Sequence, residues 1–309
     1  MKSILCYLFF FIPLTYQQTH AQVFFKTEYI SSTSYKDEKN KLSGAKGDLK
    51  VIQGGFRVPL SVKINENNRP TAWAIGCSAS HASMSNKKLP VTLCPSEMLN
   101  LQIGLTHTRP LNAKWSMLAT VGAGLYIDSD NLSKARWDNI LGQGAIVFIR
   151  HLRPNLDLGV GAALNNTFGY PMLFPAFYFN WRLEGRYEVN VALIDAVQVS
   201  VGMKFNNHLK LSLVAEMDGM MALSERNGKK MYFTQQYMIV GLRPEFTLGK
   251  SLSIPLTLGI TPARSAFYSK RSLKEYFSDD DERSAFQAGI LLFSRCNVEI
   301  LKRNHYFYP

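Results

Sequence analysis

The chain has 309 residues, of which 46% are apolar, and 35 Lys and Arg against 23 Asp and Glu give a formal net charge of +12. The four cysteines match no zinc-ligand spacing, and the basic residues are scattered through turns (Lys36, Lys39, Lys41, Lys87, Lys88, Lys229, Lys230, Lys270, Arg271) instead of forming one stripe. A zinc module and a nucleic-acid partner are therefore disfavoured. The surplus positive charge suits anionic lipid headgroups or an interior that favours anions.

The N-terminus reads as a secretory signal. Met1-Lys2-Ser3 is a short basic start, Ile4 to Leu14 is apolar apart from Pro13, and Thr19-His20-Ala21 offers small residues to a signal peptidase. Cleavage after Ala21 is expected, so residues 1–21 form the signal peptide and Gln22 starts the mature chain. The apolar core of about 11 residues is short of the roughly 20 that a membrane helix needs. Cys6 lies inside this core, away from the cleavage site, so no lipid-anchored N-terminus is expected. No later segment has 18 consecutive apolar residues, which excludes a transmembrane helix. No Pro/Ser/Gly-rich linker divides the remainder, so one domain is expected.

From about residue 50 to about residue 293 the chain follows a two-residue rhythm, the period of a strand with unlike faces. Leu99, Leu101, Ile103 and Leu105 oppose Asn100, Gln102, Gly104 and Thr106. Trp115, Met117, Ala119, Val121, Ala123 and Leu125 oppose Ser116, Leu118, Thr120, Gly122 and Gly124. Leu156, Leu158, Val160, Ala162 and Leu164 oppose Asn155, Asp157, Gly159, Gly161 and Ala163. Val197 to Phe205, Leu209 to Met217 and Leu252 to Ile260 repeat the pattern. The second face is mild, rich in Gly, Ser, Thr, Asn and Gln. Such a face suits the inside of a barrel, and the oily face then suits lipid.

Tight turns are expected at Asn65-Glu66-Asn67-Asn68, Arg109-Pro110-Leu111-Asn112, Arg153-Pro154-Asn155, Glu184-Gly185-Arg186, Asn206-Asn207 and Leu248-Gly249-Lys250. Longer connections are expected over Ser32 to Gly47, Ala82 to Glu97, Asp128 to Ile140, Gly219 to Thr234 and Ala263 to Arg283, with short ones near Asn165 to Pro171 and Ile194-Asp195. Short turns at one rim and long loops at the other are the layout of an outer-membrane barrel. The fold expected is all-β: a single antiparallel transmembrane β-barrel of about 14 strands, with 12 as the alternative, spanning residues 22–293. Strands should begin near Val23, Leu49, Thr71, Met98, Ala113, Gly142, Asn155, Leu173, Arg186, Ala196, His208, Gln235, Ser251 and Ser284. Trp73, Trp115, Trp181, Tyr126, Tyr187, Phe205 and Phe246 sit near strand ends, as an interfacial aromatic belt requires.

The stretch Arg109-Pro110-Leu111-Asn112-Ala113-Lys114-Trp115-Ser116, then Gly122-Ala123-Gly124-Leu125-Tyr126 and Leu242-Arg243-Pro244, resembles the uncharacterised outer-membrane β-barrel proteins of Gram-negative envelopes that are grouped as a family of unknown function. The resemblance implies a barrel in the cell outer membrane and assigns no activity. Barrels of this sort usually end on an aromatic read by the assembly machinery. Phe293 fits that role, which leaves residues 294–309 as a C-terminal extension.

Chemistry is sparse. His-x-x-His, His-Glu-x-x-His and Gly-x-Ser-x-Gly patterns and phosphate loops are all missing from the sequence. No catalytic, cofactor-binding or metal-ligating residue is assigned, and no cofactor is expected. A lipid-modifying barrel enzyme would need a serine, a histidine and an orienting polar group, for which His107 or His151 with Ser116 or Asn155 are the available residues. As interfacial histidines these two have simpler roles. The carboxylates Asp279-Asp280-Asp281-Glu282 and Asp128-Ser129-Asp130-Asn131 read as solvated loops lacking the spacing of a calcium site. Cys77 reads as lipid-facing and Cys94 as a loop residue, and a Cys94–Cys296 bridge would need an oxidising compartment. The expected lumenal charges are Arg57, Lys63, Lys114, Asp157, Glu188, Lys204, Lys210 and Glu216, which can set a transverse field. The leading functional expectation is passive, non-catalytic passage of small solutes, with outer-membrane lipids and the barrel-assembly machinery as partners. A closed barrel with a structural or surface-binding role is the second expectation and the lipid-modifying enzyme the third.

Overall fold

A computed structural model describes residues 21–36, 42–65, 69–88, 94–129, 131–193, 197–226, 228–249, 252–272, 284–286 and 289–300. Residues 1–20 of the expected signal and the acidic run 279–282 lie outside the described residues.

One antiparallel sheet closes on itself. Its strands are β1 (Ala21–Lys36), β2 (Leu42–Ile64), β3 (Pro70–Ser83), β4 (Asn86–Lys87), β5 (Glu97–Pro110), β6 (Trp115–Ile127), β7 (Ile140–Arg153), β8 (Leu156–Asn165) and β9 (Met172–Leu183). They continue as β10 (Tyr187–Leu193), β11 (Val197–Lys204), β12 (Leu209–Arg226), β13 (Lys229–Leu248), β14 (Leu252–Thr261), β15 (Arg264–Lys270), β16 (Ser284–Phe286) and β17 (Gly289–Ile300). Closure is made by β1, which pairs with β2 on one side and β17 on the other. β14 and β15 both pair with β13 and form one wall strand interrupted at Pro262-Ala263. β16 and β17 likewise run in line along β1. β4 is a two-residue rim pairing with β2. The barrel thus has fourteen wall strands, closed by the pairing of β1 with β2 and with β17.

The short turns follow from their asparagines. Asn112 Oδ1 accepts from the backbone N–H of Lys114 (2.8 Å) and Trp115 (3.0 Å). Asn206 Oδ1 accepts from His208 N (2.8 Å) and Leu209 N (2.9 Å) in the same way. An Asx turn supplies the bend locally, so the next strand starts in register. Both described chain ends, Ala21 and Ile300, pair with each other at this short-turn rim, which is the periplasmic side by the rule that turns there are short.

The faces agree with the period-two reading. Val121, Val160, Leu213 and Leu258 are each more than half exposed in the isolated chain, which is the solvent-exclusion pattern of a lipid-facing band. Asn100, Thr106, Ser116, Asp157, Asn180 and Thr257 point inward and are buried. Trp73 stacks on His107 (ring centroids 4.1 Å apart), and the Arg150 guanidinium lies 5.8 Å from the Trp115 ring, so the belt forms at the short-turn rim. Tyr126 departs from the expected belt. It points inward and is buried with Leu141 and Phe168, because even positions of β6 face the lumen.

Three boundaries differ from the sequence reading. β17 runs past Phe293 to Ile300, since residues 294–300 continue the ladder with Ala21–Thr27. Residues 32–36 and 42–47 belong to strands, which shortens the first long loop. The loops expected over Gly219 to Thr234 and Ala263 to Arg283 contain the upper halves of β12 and β13 and all of β15, bounded by a turn at Gly228 whose positive φ of 70° suits glycine.

Candidate functional site

Strand lengths are unequal around the wall. β10 and β11 have 7 and 8 residues, whereas their neighbours β12 and β13 have 18 and 20. β11 pairs with β12 only up to Glu216. Above that level the free side of β12 has no wall neighbour among the described residues, and the upper sheet of β12, β13 and β15 leans across the barrel mouth. It reaches the opposite wall, where Leu223 pairs in parallel with Ile127 of β6.

Both faces of this inserted sheet are covered. One presents Met220, Ala222, Phe233 and Tyr237 to Ile30, Leu49, Val51, Met84, Cys94, Met98 and Leu291. The other presents Met221, Leu223 and Tyr232 to Tyr126, Leu141 and Phe168. The outer mouth is plugged by two apolar clusters with a sheet between them. The sheet is thus buried on both faces among the described residues.

Polar contacts pin the plug to the far rim. The 3-10 turn Trp137–Asn139 sits under it, and Asn139 Nδ2 donates to Leu223 O (2.7 Å). Arg136 pairs with Glu225 (2.9 Å) and Lys230 with Asp138 (2.7 Å). Arg271, just after β15, donates to the carbonyls of Thr167 (2.8 Å), Asp138 (3.0 Å) and Asn166 (3.1 Å). On the near side, buried Arg264 donates to Gly47 O and Asp48 O (both 3.0 Å) and lies 4.1 Å from the Phe286 ring.

Below the plug, charged side chains line the β10–β14 side of the lumen. Glu188 is met by Lys204 and by Lys210 (2.7 Å), and Glu245 by Lys210 (3.7 Å) and by Ser253 Oγ (2.6 Å). Glu216 is met by Arg243 and by Gln198 (3.0 Å). Higher up, Lys26 bridges Glu28 (3.1 Å) and Asp218, and Tyr237 Oη donates to Glu28 (2.5 Å). Of the expected lumenal charges, Glu188, Lys204, Lys210 and Glu216 lie in this network, and Asp157 lies on the opposite wall. Lys63 and Lys114 instead sit exposed at the periplasmic rim, since β2 bulges between Pro59 and Ser61 and Lys114 falls in a turn. Arg243, Glu245, Asp218 and Arg264 were missed by sequence reasoning. The first two sit at lumenal parity in β13, the only signal that pointed to them.

On the opposite wall Ser116 Oγ lies 2.8 Å from His151 Nε2, and His151 Nδ1 lies 2.6 Å from Asp157 Oδ1. Arg182 Nη2 is 3.8 Å from the second Asp157 oxygen. His107 is not part of this group: it faces outward on Trp73, with Nδ1 3.1 Å from Ala72 O. Asn155 is a turn residue whose carbonyl accepts from Arg182 N (2.9 Å). Cys77 is half-buried at outward parity, and Cys94 is a free thiol in the plug cluster. Cys296 pairs by its backbone with Phe25 near the periplasmic rim, so a Cys94–Cys296 bridge would have to span the barrel. Among the described residues no cluster of His, Cys, Asp and Glu is arranged to hold a metal ion.

A family model described as Domain of unknown function (DUF6268) matches residues 17–295. No curated protein matches the chain. Among solved structures, an outer membrane channel from Pseudomonas putida F1 is similar at 12% identity, covering 94% of this chain and 100% of that one, with a TM-score of 0.46. The translocator domain of the autotransporter NalP from Neisseria meningitidis has 12% identity, coverage of 92% and 90%, and a TM-score of 0.37. The Ralstonia pickettii toluene transporter TbuX has 9% identity, coverage of 92% and 90%, and a TM-score of 0.38.

Proposed function

We propose that this chain, which belongs to the DUF6268 family and is a β-barrel of the outer membrane, works as a gated channel for small solutes. The observation that carries the reading is the contrast along the barrel axis. The outer mouth is shut by a sheet that belongs to the chain itself, while the periplasmic half keeps charged side chains in contact with water: Lys204 is 53% exposed, and Lys210, Glu245 and Arg182 are 26–30% exposed. A barrel of about 14 strands is wider than the eight-stranded barrels that side chains fill. In this reading, opening combines displacement of the plug with movement of the lumenal side chains below it, and the wall strands stay paired.

The lining charges alternate in sign, with carboxylates set against lysines and arginines. That arrangement favours a transverse field that orients dipolar solutes over a simple preference for anions. Outer-membrane lipid contacts the outward apolar band, and the assembly machinery is expected to read the C-terminal strand.

The test is planar-bilayer recording of the refolded mature chain. The reading expects a mostly silent protein with rare, discrete openings, and more frequent openings of the same size in Arg271→Ala, which removes three of the plug's ties to the far rim. A wild-type barrel that is continuously open, or an Arg271→Ala variant as silent as wild type, would overturn it.

A further inference from the structure

We propose that Ser116, His151 and Asp157 form an acyl-transfer triad that cleaves small carboxylic esters in the periplasmic half of the lumen. The three residues come from β6, β7 and β8, and all three side chains point inward. His151 and Asp157 are direct register partners, and His151 N donates to Lys114 O (2.8 Å) two residues before Ser116, so the ladder itself sets their spacing.

The order of the contacts matters. A carboxylate can only accept, so the 2.6 Å contact suits a proton on His151 Nδ1. In the neutral imidazole that tautomer leaves the Nε2 lone pair 2.8 Å from Ser116 Oγ, placed to accept the hydroxyl proton. This is the arrangement that activates a serine, with the carboxylate holding the imidazole in the reactive tautomer.

In the first step Ser116 Oγ attacks the ester carbonyl carbon and its proton passes to His151 Nε2. Asp157 stabilises the resulting imidazolium. The bond from the carbonyl carbon to the alkoxy oxygen breaks, and the alcohol leaves with the proton from Nε2. Water then attacks the acyl group on Ser116 and gives a proton to Nε2. That proton returns to Ser116 Oγ as the acid departs. The sum is ester plus water to acid plus alcohol, with no other reactant.

The surroundings indicate the substrate class. Leu118, Ile149 and Tyr178 form a buried apolar cluster on the same wall, fit for a short acyl chain. Arg182 Nη2, 3.8 Å from the second Asp157 oxygen, helps to hold the carboxylate that orients His151. Ser116 is only 1% exposed, so admission of an ester requires the side chains over it to move, which limits the site to small esters.

The experiment treats the refolded chain with a small fluorophosphonate and locates the adduct by peptide mass spectrometry, with p-nitrophenyl butyrate hydrolysis measured in parallel. Heat-modifiable electrophoretic mobility confirms folding of each variant. The expected result is one adduct on Ser116, absent in Ser116→Ala, and formed at least about 100-fold more slowly in His151→Gln. If His151→Gln fails to fold, the isosteric Asp157→Asn takes its place and should slow labelling as well. A folded wild-type chain with no adduct on Ser116, or labelling at the wild-type rate in a folded His151→Gln or Asp157→Asn, would overturn the proposal. Neither readout measures current, so this result and the gating result fail independently.

Discussion

Leu223 and Ile127 face each other as partners of a parallel bridge, although their strands stand far apart in the order around the barrel wall. A parallel pairing cannot arise between hairpin neighbours in an up-and-down barrel. It arises here because the upper part of β12 leaves the wall and crosses the mouth. The contact is thus the point where one side of the barrel closes onto the other.

Arg271 ties the plug to the far rim through three carbonyls. Its three bonds to carbonyl oxygens are charge-assisted, and losing them should cost roughly 2 kcal/mol of the closed state. That is about a thirtyfold shift toward open. Single-channel open probability of Arg271→Ala measures it. Arg271→Lys should fall between, because an ammonium cannot reach three carbonyls as a planar fork does.

Cys94 reports plug opening chemically. Its side chain is 1% exposed beside Met84, and burial pushes the thiol up to about 11. At pH 8 the thiolate is then about one part in a thousand, and maleimide should modify Cys94 far more slowly than a free surface thiol. Arg271→Ala should accelerate modification of Cys94 in proportion to its open fraction. Equal rates in the two proteins would mean that Cys94 is not shielded by the plug.

The rim contact between Lys230 and Asp138 sets an acid limit. The hydrogen bond from Lys230, aided by Arg271 and Arg136, holds the Asp138 carboxyl below its ordinary 3.8. A depressed folded value means that the contribution to closure is complete above the ordinary value and is lost as pH falls through the folded one. Closure by this contact should therefore persist through neutral and mildly acid pH and weaken only below about pH 3.8. Asp138→Asn should raise open probability at pH 7 and remove this acid step. Both substituents are exposed, so the effect should shrink at high salt.

Much of the wall was legible in the sequence. Leu156 to Leu164 and Leu252 to Thr261 alternate because one face meets lipid and the other a lumen, and the Asn-led turns fix where the strands after Asn112 and Asn206 restart. The plug was not legible for the same physical reason. Met220, Met221, Ala222 and Leu223 are apolar in succession because both faces of that sheet are buried, so the period of two disappears. Ser116 and His151 were visible as candidates and Asp157 as a lumenal charge. Their meeting depends on ladder register across β6, β7 and β8, which spacing along the chain does not encode.

Close backbone approach fixes one glycine firmly. A Cβ on Gly161 would collide with Ile146 O and come within 2.7 Å of Val147 Cα, both main-chain atoms that cannot step aside. Gly161→Ala should cost about 1–3 kcal/mol in urea unfolding. Gly142, on the neighbouring strand, has open space around its Cβ position, and Gly142→Ala should fold like wild type.

The assignment of faces has its own check. Val121 is 60% exposed at mid-strand on the lipid side. Val121→Arg should destabilise the barrel by roughly 2–4 kcal/mol, while Thr120→Arg, pointing into the lumen, should be tolerated better. Equal cost at the two positions would contradict the assigned faces.

The central claim is that the β12–β13 sheet is the gate. The most direct measurement is conductance of a Leu223→Cys, Ile127→Cys chain in a background with Cys77, Cys94 and Cys296 changed to serine, recorded oxidised and then after reductant. The account predicts no openings while the bridge is intact and the return of discrete openings once it is reduced. Openings of unchanged size and frequency in the cross-linked barrel would contradict it, because solute would then be passing a mouth whose plug cannot move.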